Sequence, residues 1–84
     1  MEPYELLAAA RRRTIGTKQT LKAVNAGRVK VVFVARDAQE HVVRDLISAC
    51  EQKGVEIIYV DSMHKLGKAC GIEVGASSAA ILNS

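Results

Sequence analysis

The chain has 84 residues, of which 49% are hydrophobic and 25% are charged, and its formal net charge is +3. This length supports one hydrophobic core, so we expect a single domain over residues 1–84, and the composition is that of a globular chain. No apolar run approaches the roughly 20 residues that span a bilayer, and the first residues lack the apolar stretch of a signal peptide. We therefore expect a soluble, cytoplasmic protein.

The first third of the chain predicts a helix, a short strand and a second helix. Pro3 suits the first turn of a helix, because that position needs no backbone N–H. Residues 14–15 are extended and lead to Gly16. Thr17 is then the predicted N-cap of the second helix, which Gly27 ends.

The rest of the chain alternates strands with helices. Val29–Ala35 reads VKVVFVA, and a run so rich in apolar, β-branched residues predicts a strand that is buried on both faces. Asp37 and Glu40 predict a capping box for a third helix, which Gly54 ends. The remaining predicted elements are a second buried strand over residues 55–60, a short helix that starts at residues 61–62 and ends at Gly71, and a last strand at Ser78–Leu82.

This alternation, with short connecting loops, predicts an α/β fold. We expect a three-layer α-β-α sandwich in which helices cover both faces of a mixed sheet of about four strands. Many unrelated activities share such folds, so function must be argued from particular residues.

The first candidate site is the segment GTKQTLK at residues 16–22. A glycine turn opens directly into a helix there, so free backbone N–H groups and the positive end of the helix dipole point outward. Lys18, Gln19 and Lys22 share one helix face, opposite the apolar stripe that begins at Leu21. Lysines can bind phosphates or guanine acceptors, and a glutamine amide offers a donor and an acceptor to a base edge. The alternative is a well-capped helix with a solvated lysine face.

The second candidate site is GIEVGA at residues 71–76, a predicted loop between a helix and a strand. Ile72 and Val74 are large aliphatic residues between two glycines. If exposed, they can pack against a flipped-out base or a protein partner. The alternative is that both turn inward and complete the core.

Other residues give weaker indications. The arginines at residues 11–13 can contact a phosphate backbone, although a solvated helix end is the alternative. His41 and His64 lack partners at metal-ligand spacing, so no metal site is predicted. Cys50 and Cys70 have no CxxC spacing and are expected to be buried, unpaired thiols. No nucleophile motif or P-loop spacing is present, so we expect no catalytic residues and no cofactor.

Two separated segments resemble a known family. GTKQTLKAVNAG at residues 16–27 and KLGKACGIEVGASSAAIL at residues 65–82 closely resemble the ribosomal L7Ae family, and the bacterial YbxF-like branch is the nearest match. The two motifs occur in the same order and at the same distance as in that family, and the resemblance extends over essentially the whole chain. Archaeal members typically have Asn-Glu where this chain has Lys18-Gln19, whereas bacterial members have Lys-Gln.

This resemblance implies binding to kink-turns, which are RNA duplexes bent sharply at a bulge beside tandem G·A pairs. It implies a groove-binding segment at those pairs, made of Gly16, Thr17, Lys18, Gln19 and Lys22. It also implies a loop that packs against bases extruded from the bulge, made of Ile72, Glu73 and Val74.

The resemblance thus favours a non-catalytic, monomeric, RNA-binding protein whose partner is an RNA that contains a kink-turn. Ribosomal RNA and a riboswitch are both candidate targets, and no membrane partner is expected. Two other functions remain as alternatives. One is a protein-interaction adaptor that uses Ile72 and Val74, and the other is a relative of an accessory domain of an RNA-modifying enzyme.

Overall fold

The computed structural model describes residues 2–83, so Met1 and Ser84 of the predicted domain lie outside the described residues. Helices and strands alternate along this part of the chain. The elements are α1 (Pro3–Ala9), β1 (Arg13–Ile15), α2 (Thr17–Asn25), β2 (Val29–Ala35), α3 (Glu40–Lys53), β3 (Ile57–Val60), α4 (Met63–Ala69) and β4 (Ser78–Leu82).

The four strands form one mixed sheet in the order β1-β4-β2-β3. β4 is antiparallel to both of its neighbours, with Thr14 opposite Ala80 on one side and Phe33 opposite Ala79 on the other. β2 and β3 are parallel, and α3 provides the crossover connection that parallel strands need. The end of β2 and the start of β4 therefore lie at the same end of the sheet.

Two helices cover each face of the sheet, so the predicted three-layer fold is confirmed. α2 and α3 pack on one face, where Val24, Leu46 and Cys50 meet the β2 residues Val32 and Val34. On the opposite face α1 and α4 pack against the alternate residues of the sheet, and the buried members of that core include Leu7, Phe33, Leu66, Cys70 and Ala79.

Strand β2 behaves as predicted and β3 does not. Residues 31–35 are all buried, because β2 is a central strand with helices over both faces. The prediction of a second buried strand over residues 55–60 is wrong in length and burial. β3 starts at Ile57 and is an edge strand of the sheet that residues 2–83 form, and its Tyr59 remains 42% exposed.

The predicted capping box of α3 is also wrong. α3 begins at Glu40, and Gln39, its N-cap residue, makes no side-chain capping bond. The Asp37 carboxylate instead accepts a hydrogen bond from the backbone N–H of Met63 at 2.8 Å, and so joins the loop after β2 to the start of α4. The predicted end of α3 at Gly54 is confirmed, since this residue has a φ of 68° that favours glycine.

Candidate nucleic-acid interface

Helix α2 begins without a side-chain cap. Gly16 is its N-cap residue, with a φ of 90° and a ψ of 156° that are accessible almost only to glycine. The first intrahelical bond runs from the Thr20 N–H to the Gly16 carbonyl at 3.1 Å. The backbone N–H groups of the first turn therefore lack helical partners and are available to an anion or a base edge.

The exposed face of α2 carries the predicted polar side chains. Lys18, Gln19 and Lys22 are all exposed, whereas Thr20 and Val24 are buried against the sheet and α3. A shallow groove of about 260 Å³ runs beside this face. Its lining consists of Thr14, Gln19, Lys22, Ala23, Ala26, Arg28 and Leu82. The three polar side chains on this face can thus meet a partner together.

Thr17 is not the N-cap, and the prediction of that role is wrong. Because Gly16 supplies the unusual backbone conformation, Thr17 becomes the first helical residue and its side chain is free for another contact. The Thr17 hydroxyl shares hydrogen bonds with the hydroxyls of Ser77 at 2.7 Å and Ser78 at 2.9 Å. The role of Thr17 is therefore to tie the start of α2 to the start of β4.

The loop at residues 71–76 is held by its backbone against α4. The Ile72 N–H donates to the Gly67 carbonyl, and the Ala76 N–H donates to the Met63 carbonyl, each at 3.0 Å. At Gly67 the Val74 carbonyl approaches so closely that no Cβ could be accommodated. The loop thus has a defined conformation.

The two aliphatic residues of this loop point to different places. Ile72 is half-buried and packs against the core under α1 and α4, which confirms for this residue the alternative that it turns inward. Val74 is 70% exposed, the highest value among the exposed large hydrophobic residues of 2–83, and Glu73 beside it is also exposed. The apolar contact surface of the loop is therefore mainly Val74.

The fold brings the two predicted segments to the same end of the sheet. In addition to the hydroxyl cluster, the Gly16 N–H donates to the Ser78 carbonyl at 2.8 Å. Ser77 follows Val74 by only three residues, so the end of the loop is hydrogen-bonded to the first turn of α2. The sequence reasoning missed Ser77, Ser78 and Gly67. The only sequence signal for them is their position inside the GIEVGASS and KLGKAC motifs.

The cysteines, the candidate metal ligands and the hydropathy of the helices indicate no further site in the part of the chain that the structure describes. Burial raises the pKa of both the Cys50 and the Cys70 thiol, which keeps them protonated, and the two are buried and unpaired as predicted. Within residues 2–83 no three His, Cys, Asp or Glu side chains cluster in a way that could hold a metal ion. None of the helices in this range combines the length and the apolar character needed to cross a membrane.

Comparison with known proteins shows the family of the chain. Residues 2–84 match the model of the Ribosomal protein L7Ae/L30e/S12e/Gadd45 family. The chain belongs to this family. An RNA-binding protein of Caldanaerobacter subterraneus is 54% identical to this chain over 69 residues, which cover 82% of this chain and 84% of the relative. The RNA-binding protein YbxF of Geobacillus stearothermophilus is 44% identical over 79 residues, which cover 94% of this chain and 96% of the relative.

The fold of this L7Ae-family chain recurs in solved structures. The Giardia lamblia 15.5kD RNA binding protein superposes with a TM-score of 0.85 at 33% identity, and the match covers 96% of this chain and 68% of that protein. A Bacillus halodurans protein of unknown function superposes with a TM-score of 0.81 at 27% identity, covering 96% of this chain and 81% of that one.

Proposed function

We propose that this protein binds RNA, and that its specific target is the kink-turn. The proposed contacts are the α2 start, with Lys18, Gln19 and Lys22 at the G·A pairs, and the loop at residues 71–76 on the extruded bases. Relatives that cover nearly all of the chain are named as RNA-binding proteins, which supports the general activity.

One observation carries the proposal. A polar, cationic helix face and an exposed aliphatic loop are joined at one end of the sheet by the Thr17 hydroxyl and the Gly16 N–H. The helix face supplies ammonium and amide groups together with unpaired backbone N–H groups, which suit phosphates and base edges. The loop supplies Val74, which suits the flat apolar face of an unstacked base. A kink-turn offers both kinds of surface side by side.

The same arrangement explains a preference for bent RNA. The major groove of a regular A-form duplex is deep and narrow, so side chains there cannot reach the base edges. A bent, bulged duplex opens these edges near its unstacked bases. A protein that contacts both features binds the bent form more tightly and thereby shifts the RNA toward that form.

The adaptor hypothesis has less support. Because Ile72 packs on the core, Val74 is the main large aliphatic side chain that the loop exposes. A single exposed aliphatic residue is common on protein surfaces and does not form the contiguous patch typical of a protein interface. We propose binding without catalysis, because relatives that cover nearly all of the chain are named as RNA-binding proteins.

The test compares two RNAs in a titration. One is a standard kink-turn duplex, and the other is identical except that Watson–Crick pairs replace the tandem G·A pairs. We expect clearly tighter binding to the first RNA. Equal affinity for the two would contradict kink-turn recognition while leaving general RNA binding intact.

A pair of variants assigns the site. Lys22→Ala is expected to weaken kink-turn binding by about 1–3 kcal/mol, the range for a lost base-directed contact. Lys53→Ala removes the same charge from the exposed last turn of α3 and is the matched control. Equal dissociation constants for both variants at matched salt would rule out the α2 face as the binding surface.

A further inference from the structure

We propose that a second surface binds the RNA stem that extends beyond the G·A pairs. Arg12 and Arg28, supported by Arg11, form a phosphate-binding strip that continues from Lys22 across the end of the sheet at which β1 and β2 begin. This inference rests on the proposed kink-turn function and extends its footprint along the duplex.

Charge is strongly segregated along the chain. Residues 6–36 contain eight of the 12 lysines and arginines and none of the nine acidic residues. The other 53 positions carry the remaining four cations and all nine carboxylates. The net charge of +3 therefore combines a strongly cationic segment, which forms β1, α2 and β2, with an acidic remainder. Such segregation is the electrostatic signature of binding to a polyanion.

The fold brings Arg12 and Arg28 together at the end of β4. The Leu82 N–H donates to the Arg12 carbonyl at 3.0 Å, and the Asn83 N–H donates to the Arg28 carbonyl at 2.8 Å. Arg12 and Arg28 thus lie on either side of the same strand end, although they are far apart in sequence. These two backbone hydrogen bonds hold the residues that precede β1 and β2 against the end of β4.

Two grooves join the strip to the α2 face. Arg28 lines the groove of about 260 Å³ that also contains Gln19 and Lys22. Arg11 and Arg12 line a neighbouring groove of about 380 Å³, and both grooves share Leu82. A partner seated on the α2 face therefore meets the arginines next.

The arginines of the strip are available for a ligand. Arg11, Arg12 and Arg28 are exposed, and the one ion pair within residues 2–83 is that between Lys65 and Asp61. Arg13 differs from its two neighbours. It is partly buried, and its guanidinium donates to the carbonyls at the end of α1 and to the Cys70 carbonyl.

The shape of the strip favours a duplex stem. α2 has nine residues and is about 13 Å long, and the exposed cations Lys18, Lys22 and Arg28 follow one another from its first turn to the residue before β2. Binding of single strands relies on exposed aromatic residues that stack with bases. None of the three aromatic residues of the chain lines either groove, since Phe33 is buried and Tyr59 lies on the opposite edge strand.

The experiment measures the salt dependence of binding for Arg12→Ala/Arg28→Ala. The matched control is Arg44→Ala/Lys53→Ala, which removes two exposed cations from α3. Loss of two phosphate contacts should reduce the log–log salt slope by about 1.8. Raising the salt from about 50 to about 200 mM should then weaken wild-type binding about tenfold more than binding of the double variant.

Two kink-turn RNAs locate the contact. One has a long stem beside the G·A pairs, and the other has this stem cut short with the opposite stem unchanged. We expect the wild type to lose affinity and salt dependence on the shortened RNA, and the double variant to bind both RNAs alike. Arg12→Lys/Arg28→Lys keeps the charges and should keep the wild-type slope.

Three results would overturn the strip. The first is a salt slope of the alanine double variant equal to that of the α3 control. The second is an equal loss of affinity for the long-stem and the short-stem RNA when the arginines are replaced by alanine. The third is a reduced salt slope in Arg12→Lys/Arg28→Lys. The proposed function itself fails if the wild-type protein binds the kink-turn and the RNA without G·A pairs with equal affinity. The two failures are therefore distinct.

Discussion

Substitution of Val74 by aspartate tests the proposed RNA contact of the loop with little effect on the fold. The Val74 side chain is 70% exposed, and the contact that fixes the loop is made by the Val74 backbone carbonyl against Gly67. A new carboxylate therefore stays in water in the free protein. In the complex it would face both an apolar base and nearby phosphates.

The expected effect on binding follows from the exposed fraction. Complete burial of a valine side chain is worth about 1.5–3 kcal/mol, so covering the exposed 70% with a base contributes about 1–2 kcal/mol. Repulsion between a carboxylate and a phosphate at about 4 Å adds about 1 kcal/mol in water. We expect Val74→Asp to lose about 2–3 kcal/mol, which raises Kd roughly 30- to 150-fold.

Fluorescence anisotropy with a labelled kink-turn RNA measures this Kd at fixed salt. The melting temperature of the free variant should change by less than about 4 °C, as for an ordinary surface substitution. Val74→Ala should lose only the apolar part of the effect. Val42→Asp is the control, because Val42 is a 40% exposed valine on α3, away from the proposed RNA surface.

Two outcomes would refute this reasoning. An unchanged Kd would mean that no base covers Val74. A fall of about 10 °C or more in melting temperature would mean that the side chain supports the fold, and the binding surface would then reduce to the α2 face.

Three further substitutions have expected outcomes. Gly67→Ala should lower the melting temperature by at least about 5 °C, because its new Cβ overlaps the Val74 carbonyl, and should weaken RNA binding by displacing the loop. Arg13→Ala should cost about 1.5–3 kcal/mol of unfolding free energy in chemical denaturation, because four backbone carbonyls lose a charged donor. The Tyr4 hydroxyl and Lys65 lower the pKa of Asp61, so their hydrogen bonds to the ionised Asp61 carboxylate stabilise the fold above the ordinary Asp pKa. This stabilisation is lost as the pH falls through the lowered pKa. Tyr4→Phe should raise the pKa of Asp61 in an NMR titration and make acid unfolding less steep. A variant pKa equal to that of the wild type would contradict the link.

Some features of the fold depend on local sequence alone. The apolar, β-branched run at Val29–Ala35 can be stable only when it is covered on both faces, so it predicts the central strand. The predicted end of α3 at Gly54 and the predicted helix start at residues 61–62 are both confirmed, because each depends on local backbone and side-chain preferences. Helical spacing likewise predicted the exposed face of Lys18 and Gln19.

The predictions that failed concern partners distant in sequence. Asp37 was expected to cap α3, but it accepts a hydrogen bond from Met63 26 residues later. Thr17 was expected to cap its own helix, but its hydroxyl bonds to Ser77 and Ser78 about 60 residues away. Each side chain had a possible hydrogen-bond partner nearby in sequence and another far away, and sequence spacing shows only the nearby one.

Helical and strand periodicity in the sequence determined the order and type of the elements, and their apolar faces determined the layers of this protein. The tertiary structure decided which exposed groups lie close together, because the pairing of β4 with β1 brings residues 77–78 to the start of α2. It also separated Ile72 from Val74 and Arg13 from Arg12, although each pair looks alike in sequence. Packing, which depends on distant segments, buries one member of each pair in the fold and leaves the other exposed to solvent.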